Sequence, residues 1–106
     1  MSDGPLVVFK SVPDFYTIER NGNKPNTVRV LSDREYRERL DFARACLMAG
    51  EPASIEIVNA ANQLQRFFRR ITSIEQVGSL AGQSIWVISW LHEDGDGTYL
   101  DVEGTE

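Results

Sequence analysis

The sequence predicts an α+β fold, a small mixed-strand barrel or sheet with two flanking helices. Three observations predict it. Four short runs, "LVVFKSV", "NTVRVL", "ASIEIVNA" and "IWVISW", are apolar or alternate with period two, as strands do. One longer stretch, residues 33–49, carries apolar side chains at helical spacing. A length of 106 residues at 42% hydrophobic content suits one domain with one modest core.

Residues 6–12 read as a first strand, closed by Pro13. "PDFYTIERNG" follows as a short helix, with Pro13 suited to a first helical position and Gly22 to a C-terminal cap. Phe15 and Ile18, three apart, are expected on its inward face. In "NTVRVL", Val28 and Val30 should point one way and Thr27 and Arg29 the other. Ser32-Asp33-Arg34-Glu35 has the capping-box pattern, with Leu31 placed to staple against Tyr36. Tyr36, Leu40, Ala43 and Leu47 then form a core-facing stripe, and Gly50 and Pro52 end the helix.

"ASIEIVNA" alternates and leads into an Asn-rich turn, and "LQRFFRRITSIEQV" is a long strand expected to bend near Phe67-Phe68. "IWVISW" is almost wholly apolar, which predicts cover on both faces. "TYLDV" is a candidate final edge strand in an acidic tail, residues 93–106, after a single domain over residues 1–92.

Charge is unevenly placed. The chain carries 11 Lys and Arg against 16 Asp and Glu, a net −5. Six of the acids lie in residues 93–106, which hold no base, so 11 bases face 10 acids in the remainder. The whole chain's acidity opposes tight polyanion binding; the near-neutral body does not. A tail lying across a basic cleft would compete with phosphate, whereas a purely solubilising tail would touch nothing. No run approaches the roughly 18 apolar residues of a membrane span. The N-terminus lacks a basic segment before its apolar run, so no secretory leader is expected. A single cysteine, Cys46, excludes an internal disulfide and suits a reducing, cytoplasmic location.

Few residues offer chemistry. One histidine, His92, and one cysteine cannot make a zinc site of the usual kinds, so no metal and no cofactor is expected. His92 reads as an exposed strand-end residue and Cys46 as a buried structural thiol. "EDGDGT" fails as a calcium loop, because Tyr99 and Thr105 stand where glycine and glutamate are needed. "RFFRR" mixes Arg66, Arg69 and Arg70 with Phe67 and Phe68 as nucleic-acid surfaces do; strand alternation must split them between faces. The cluster left is "GNKPNTVR". A desolvated lysine can act as a base, a threonine hydroxyl can relay a proton, and an arginine can hold a carbonyl or phosphate. The plain alternative is a polar turn with a solvated lysine.

An apolar strand, a short helix and then Gly22-x-Lys24-x-x-Thr27-x-Arg29 resembles the ASCH domain, a branch of the PUA-like superfold. "RFFRRITSIEQV" and "IWVISW" resemble that family's closing strand pair, so the likeness spans roughly residues 6–90. It implies a PUA-like β-barrel with a cleft for a nucleotide, a modified nucleoside or RNA. In the branch whose enzymes remove the acetyl group from N4-acetylcytidine, a lysine, a threonine and a glutamate do the work. By motif, Lys24 would activate water, Thr27 would orient that lysine or the water, and Arg29 would hold the strand end or a substrate oxygen; Arg66, Arg69 and Arg70 are ligand-binding candidates from the "RFFRR" run itself. Pro25, Asn26 and the helix at 33–49 depart from the family pattern, and the glutamate has no clear counterpart; Glu75 is the nearest candidate. The resemblance therefore implies a nucleotide- or RNA-binding module, alternatively an amidohydrolase, with a non-catalytic protein-interaction module as the third reading. Uncovered Trp86 or Trp90 would favour the third.

Overall fold

The computed structural model describes residues 4–32 and 34–92. The candidate strand "TYLDV" lies outside them. Among the described residues, five strands and two helices follow in the order β1 (Leu6–Ser11), α1 (Pro13–Arg20), β2 (Asn26–Leu31), α2 (Arg34–Met48), β3 (Ser54–Asn59), β4 (Asn62–Leu80) and β5 (Gln83–Trp90). The strands form one curled half-barrel sheet ordered β1-β3-β4-β5-β2. Only β1 and β3 run parallel; the other neighbours are antiparallel.

β4 makes the curl. At 19 residues it pairs with β3 through its first half and with β5 through its second. Its pairing with β5 slips between Ile71 and Ser73 and again between Gln76 and Gly78. The bend expected at Phe67-Phe68 thus falls later, where the strand changes partner; Phe67 and Phe68 keep regular pairing with Ile57 and Glu56. An extra residue on one strand bends it and raises the local twist, which turns a flat ladder into a trough.

Both helices pack inside that trough. Tyr16 of α1 meets Phe67, at 5.5 Å between ring centroids, and Tyr36 of α2 stacks on Phe9 at 5.4 Å. Leu40 and Ala43 are fully buried, with Tyr36 and Leu47 beside them, as the helical spacing predicts. Gly50, at φ 82°, ends α2; Gly50 N–H donates to the Leu47 carbonyl and Glu51 N–H to the Cys46 carbonyl. That is the paired closure a left-handed glycine allows. Cys46 is only half-buried, not the enclosed thiol expected.

Two expectations about faces are overturned. α1 buries Tyr16 and Glu19, while Phe15 is 53% exposed, because the helix docks through Tyr16 on Phe67 and Glu19 on Ser11, which turns Phe15 outward. β5 is covered on one side only: Ser84, Trp86, Ile88 and Trp90 are buried, whereas Ile85 and Val87 are half-exposed on the convex face. Both helices occupy the concave side, so nothing among the described helices caps those residues.

The stripe on α2 yields a direct test. Leu40→Ala should cost about 2–5 kcal/mol in urea unfolding, the range for truncating a fully buried leucine. Phe42, 62% exposed on the same helix, should change stability by only about 0.5 kcal/mol when cut to alanine.

Candidate functional site

The turn "NGNKPN" is built to aim one lysine. Asn21 closes α1, and its side-chain oxygen accepts from Asn23 N–H at 2.9 Å. Gly22 follows at φ 92°, a conformation open mainly to glycine, and a Cβ there would sit 2.9 Å from the His92 ring. His92 is therefore half-buried against this turn, not an exposed strand end. Lys24 N–H donates to the Ile18 carbonyl at 2.9 Å, folding the turn back onto the helix. The Lys24 ammonium then donates to the Asn26 carbonyl at 2.9 Å and lies 3.5 Å from the Glu19 carboxylate.

Behind Lys24 runs a chain of polar contacts through the interior. The Ser11 hydroxyl donates to Glu19 Oε1 at 2.8 Å and accepts from Arg29 Nη2 at 2.8 Å. Arg29 also donates from Nε to Thr27 Oγ1 at 3.0 Å and from Nη1 to the Lys10 carbonyl at 2.8 Å. Its guanidinium lies 4.8 Å from the centroid of Phe9. Burial pulls the Arg29 pKa below its ordinary value; the Glu19 carboxylate and Tyr36 act in the opposite direction. The Glu19 side chain is 2% exposed and the Lys24 side chain 31%, so the lysine is the solvent-facing end of the network. Phe15, with its ring centroid 5.7 Å from the ammonium, stands exposed beside it.

The structure brings together Lys24, Thr27 and Arg29 and leaves the other predicted residues elsewhere. Glu75 is a correction. Thr27, Ile88 and Ile74 form one row across the sheet on the concave side, and Val28, Val87 and Glu75 form the next row, on the convex side. Strand alternation therefore points Glu75 away from Lys24. The arginines divide between the two faces, as strand alternation requires. Arg69 points inward, 4.8 Å from the Phe67 centroid, and donates to the Phe68 and Arg20 carbonyls, where it ties α1 to the sheet. Arg66 and Arg70 point outward, Arg66 bonded to Glu56 at 2.7 Å.

Glu19 and Ser11 were missed from the sequence. The one available signal was helical phase: a start at Pro13 puts Glu19 three residues after Tyr16, on the same face. Hydropathy favoured Phe15 and Ile18 and hid it. Among the described residues, no three His, Cys, Asp or Glu side chains gather as metal ligands, and no helix is long and apolar enough to cross a membrane.

No protein-family model, no curated protein and no solved structure matches the chain.

Arg29 is the hub of this arrangement, and its loss should be read in stability. Arg29→Ala strips donors from Thr27, Ser11 and the Lys10 carbonyl at once, an expected cost of about 3 kcal/mol in urea unfolding. Arg29→Lys should recover less than half of that, since a single ammonium cannot span the fork.

Proposed function

We propose that the chain is an ASCH-like module that takes a nucleotide, a modified nucleoside or an RNA base beside Lys24 and Thr27. One observation carries the reading: the Lys24 ammonium is held from behind by the buried Glu19 carboxylate and is open to solvent beside the exposed Phe15 ring. A nucleobase needs an aromatic face to stack on and a fixed polar group to orient it. Phe15 supplies the first. Lys24 supplies the second, as a donor to base carbonyls or phosphate oxygens. The Asn21-Gly22-Asn23 turn and the Glu19 carboxylate keep the lysine in place before any ligand arrives, which lowers the ordering cost of binding.

The test is a titration of nucleosides, nucleotides and short RNA into isotopically labelled protein. Amide resonances of residues 15–29 should shift with at least one ligand class. Lys24→Met, which keeps the stem against Phe15 but removes the charge, should weaken that binding about tenfold or more. A broad panel that leaves those resonances unmoved would defeat the proposal.

A second reading, an amidohydrolase acting on N4-acetylcytidine-type nucleosides, is favoured by one specific observation. A carboxylate, Glu19, stands 3.5 Å from Lys24, with Thr27 in the same hydrogen-bonded chain. In that reaction water adds to the acetyl carbonyl, the bond from that carbon to the cytosine N4 breaks, and acetate and cytidine leave. Lys24 and Glu19 would take the proton lost by water and return it to the departing nitrogen. Thr27, held by Arg29 Nε, would orient the attack. Chromatography of acetate release should then show a loss of about 100-fold or more for Lys24→Met and Glu19→Gln alike, the scale of general acid–base catalysis. Turnover unchanged in both variants would exclude these roles. The protein-interaction reading finds no support at the tryptophans, since Trp86 and Trp90 are both buried.

A further inference from the structure

The convex side of β1, β3 and β4 carries a pattern that the Lys24 cluster does not use. The strand registers define three rows across it: Leu6, Ser54 and Arg70; Val8, Glu56 and Phe68; Lys10, Val58 and Arg66. Phe68 therefore stands on β4 between Arg66 and Arg70, two residues away on either side, and Lys10 lies across the sheet at the Arg66 level. α1 and α2 are committed to the opposite side through Tyr16 on Phe67, Glu19 on Ser11 and Tyr36 on Phe9. Among the described helices, none covers this face. Lys10 and Arg70 are exposed, and Phe68 and Arg66 are half-exposed.

Charge and shape agree on the occupant. The only acid in the three rows is Glu56, and its carboxylate already accepts from Arg66 at 2.7 Å. Three cations against one satisfied carboxylate leave the face positive, although the whole chain is −5. An aromatic ring set among cations on an open sheet suits unstacked bases along a phosphate backbone. A duplex hides its bases in the stack and offers Phe68 nothing to stack on. An acidic peptide would use the cations and leave the ring idle.

From this face we infer a second binding surface, for single-stranded nucleic acid: one base stacks on Phe68, and Lys10, Arg66 and Arg70 hold flanking phosphates. The inference stands apart from the Lys24 site, because the two lie on opposite faces of the sheet. Residues 93–106 hold six acids and no base, a charge complementary to this surface. Their occupation of it in place of a ligand is the competing outcome.

The experiment is fluorescence polarisation of a short labelled oligouridine on the full chain at several salt concentrations. Binding should strengthen as salt falls. Phe68→Leu keeps apolar bulk and removes the stacking surface, and should weaken binding about tenfold. Arg70→Ala, at an exposed position that fills no core, should reduce the log–log salt slope by about 0.7, the value for one phosphate contact on a single strand. A loss confined to Lys24→Met would put the strand in the Lys24 cleft and overturn the inference. Equal binding of duplex RNA would reduce the face to bare charge and overturn it too. Absence of binding even at low salt, the result if residues 93–106 hold the face, would do the same.

Discussion

The fork of Arg29 across the open side of the trough is the contact on which the rest depends. A sheet that curls without closing leaves backbone groups unpaired along its two outer strands, and these need partners. Among the described strands the outer two are β1 and β2. The Val8 and Lys10 carbonyls of β1 accept from the Tyr36 hydroxyl and from Arg29 Nη1. A side chain from β2 thus does what a sixth strand would do by hydrogen-bond ladder. Because the same guanidinium also holds Ser11 and Thr27, the seam and the polar cluster are one object. Ser11 in turn holds Glu19, and Glu19 faces Lys24.

This seam explains an inversion in β2. Its polar residues Thr27 and Arg29 face inward, and Val28 and Val30 face out at 54% and 55% exposure. Hydrophobic burial alone would favour the opposite phase, by a kilocalorie or two per valine in order of magnitude. Shifting the register by one residue would bury those valines but send Arg29 into solvent and strand the Lys10 carbonyl and Ser11. The several charge-assisted hydrogen bonds of a guanidinium outweigh two partly exposed valines. Fixed charge near the mouth of a fold is the usual setting for ligand recognition, since it needs no reorganisation when the ligand arrives.

β4 carries the second consequence of the curl. By serving β3 first and β5 afterwards, it presents "RFFRR" while the strand is still regular, so Phe67 and Arg69 enter the core and Arg66, Phe68 and Arg70 leave it. Arg69 then satisfies the Arg20 carbonyl at the end of α1, a place where a helix leaves acceptors open. The basic character that looks like one motif in the sequence is divided between a structural cation and a surface.

The sequence by itself determined the elements and much of their phase. Apolar runs placed β1 and β5, period-two runs placed β2 and β3, and the Tyr36-Leu40-Ala43-Leu47 stripe placed α2 and its buried face, because these signals are local and repeat over several residues. It also located Lys24, Thr27 and Arg29, since turn chemistry and adjacency in sequence bring them together without help from the rest of the chain. Only the tertiary structure decided that Glu19 and Ser11 complete that cluster, that Glu75 faces the other way, and that Arg69 is the arginine turned inward. Those facts depend on which face of α1 docks, on which side of a strand becomes concave, and on where a long strand changes partner. Each is settled by contacts between residues far apart in the chain, Arg29 with Lys10 and Arg69 with Arg20 among them, and no local pattern encodes them.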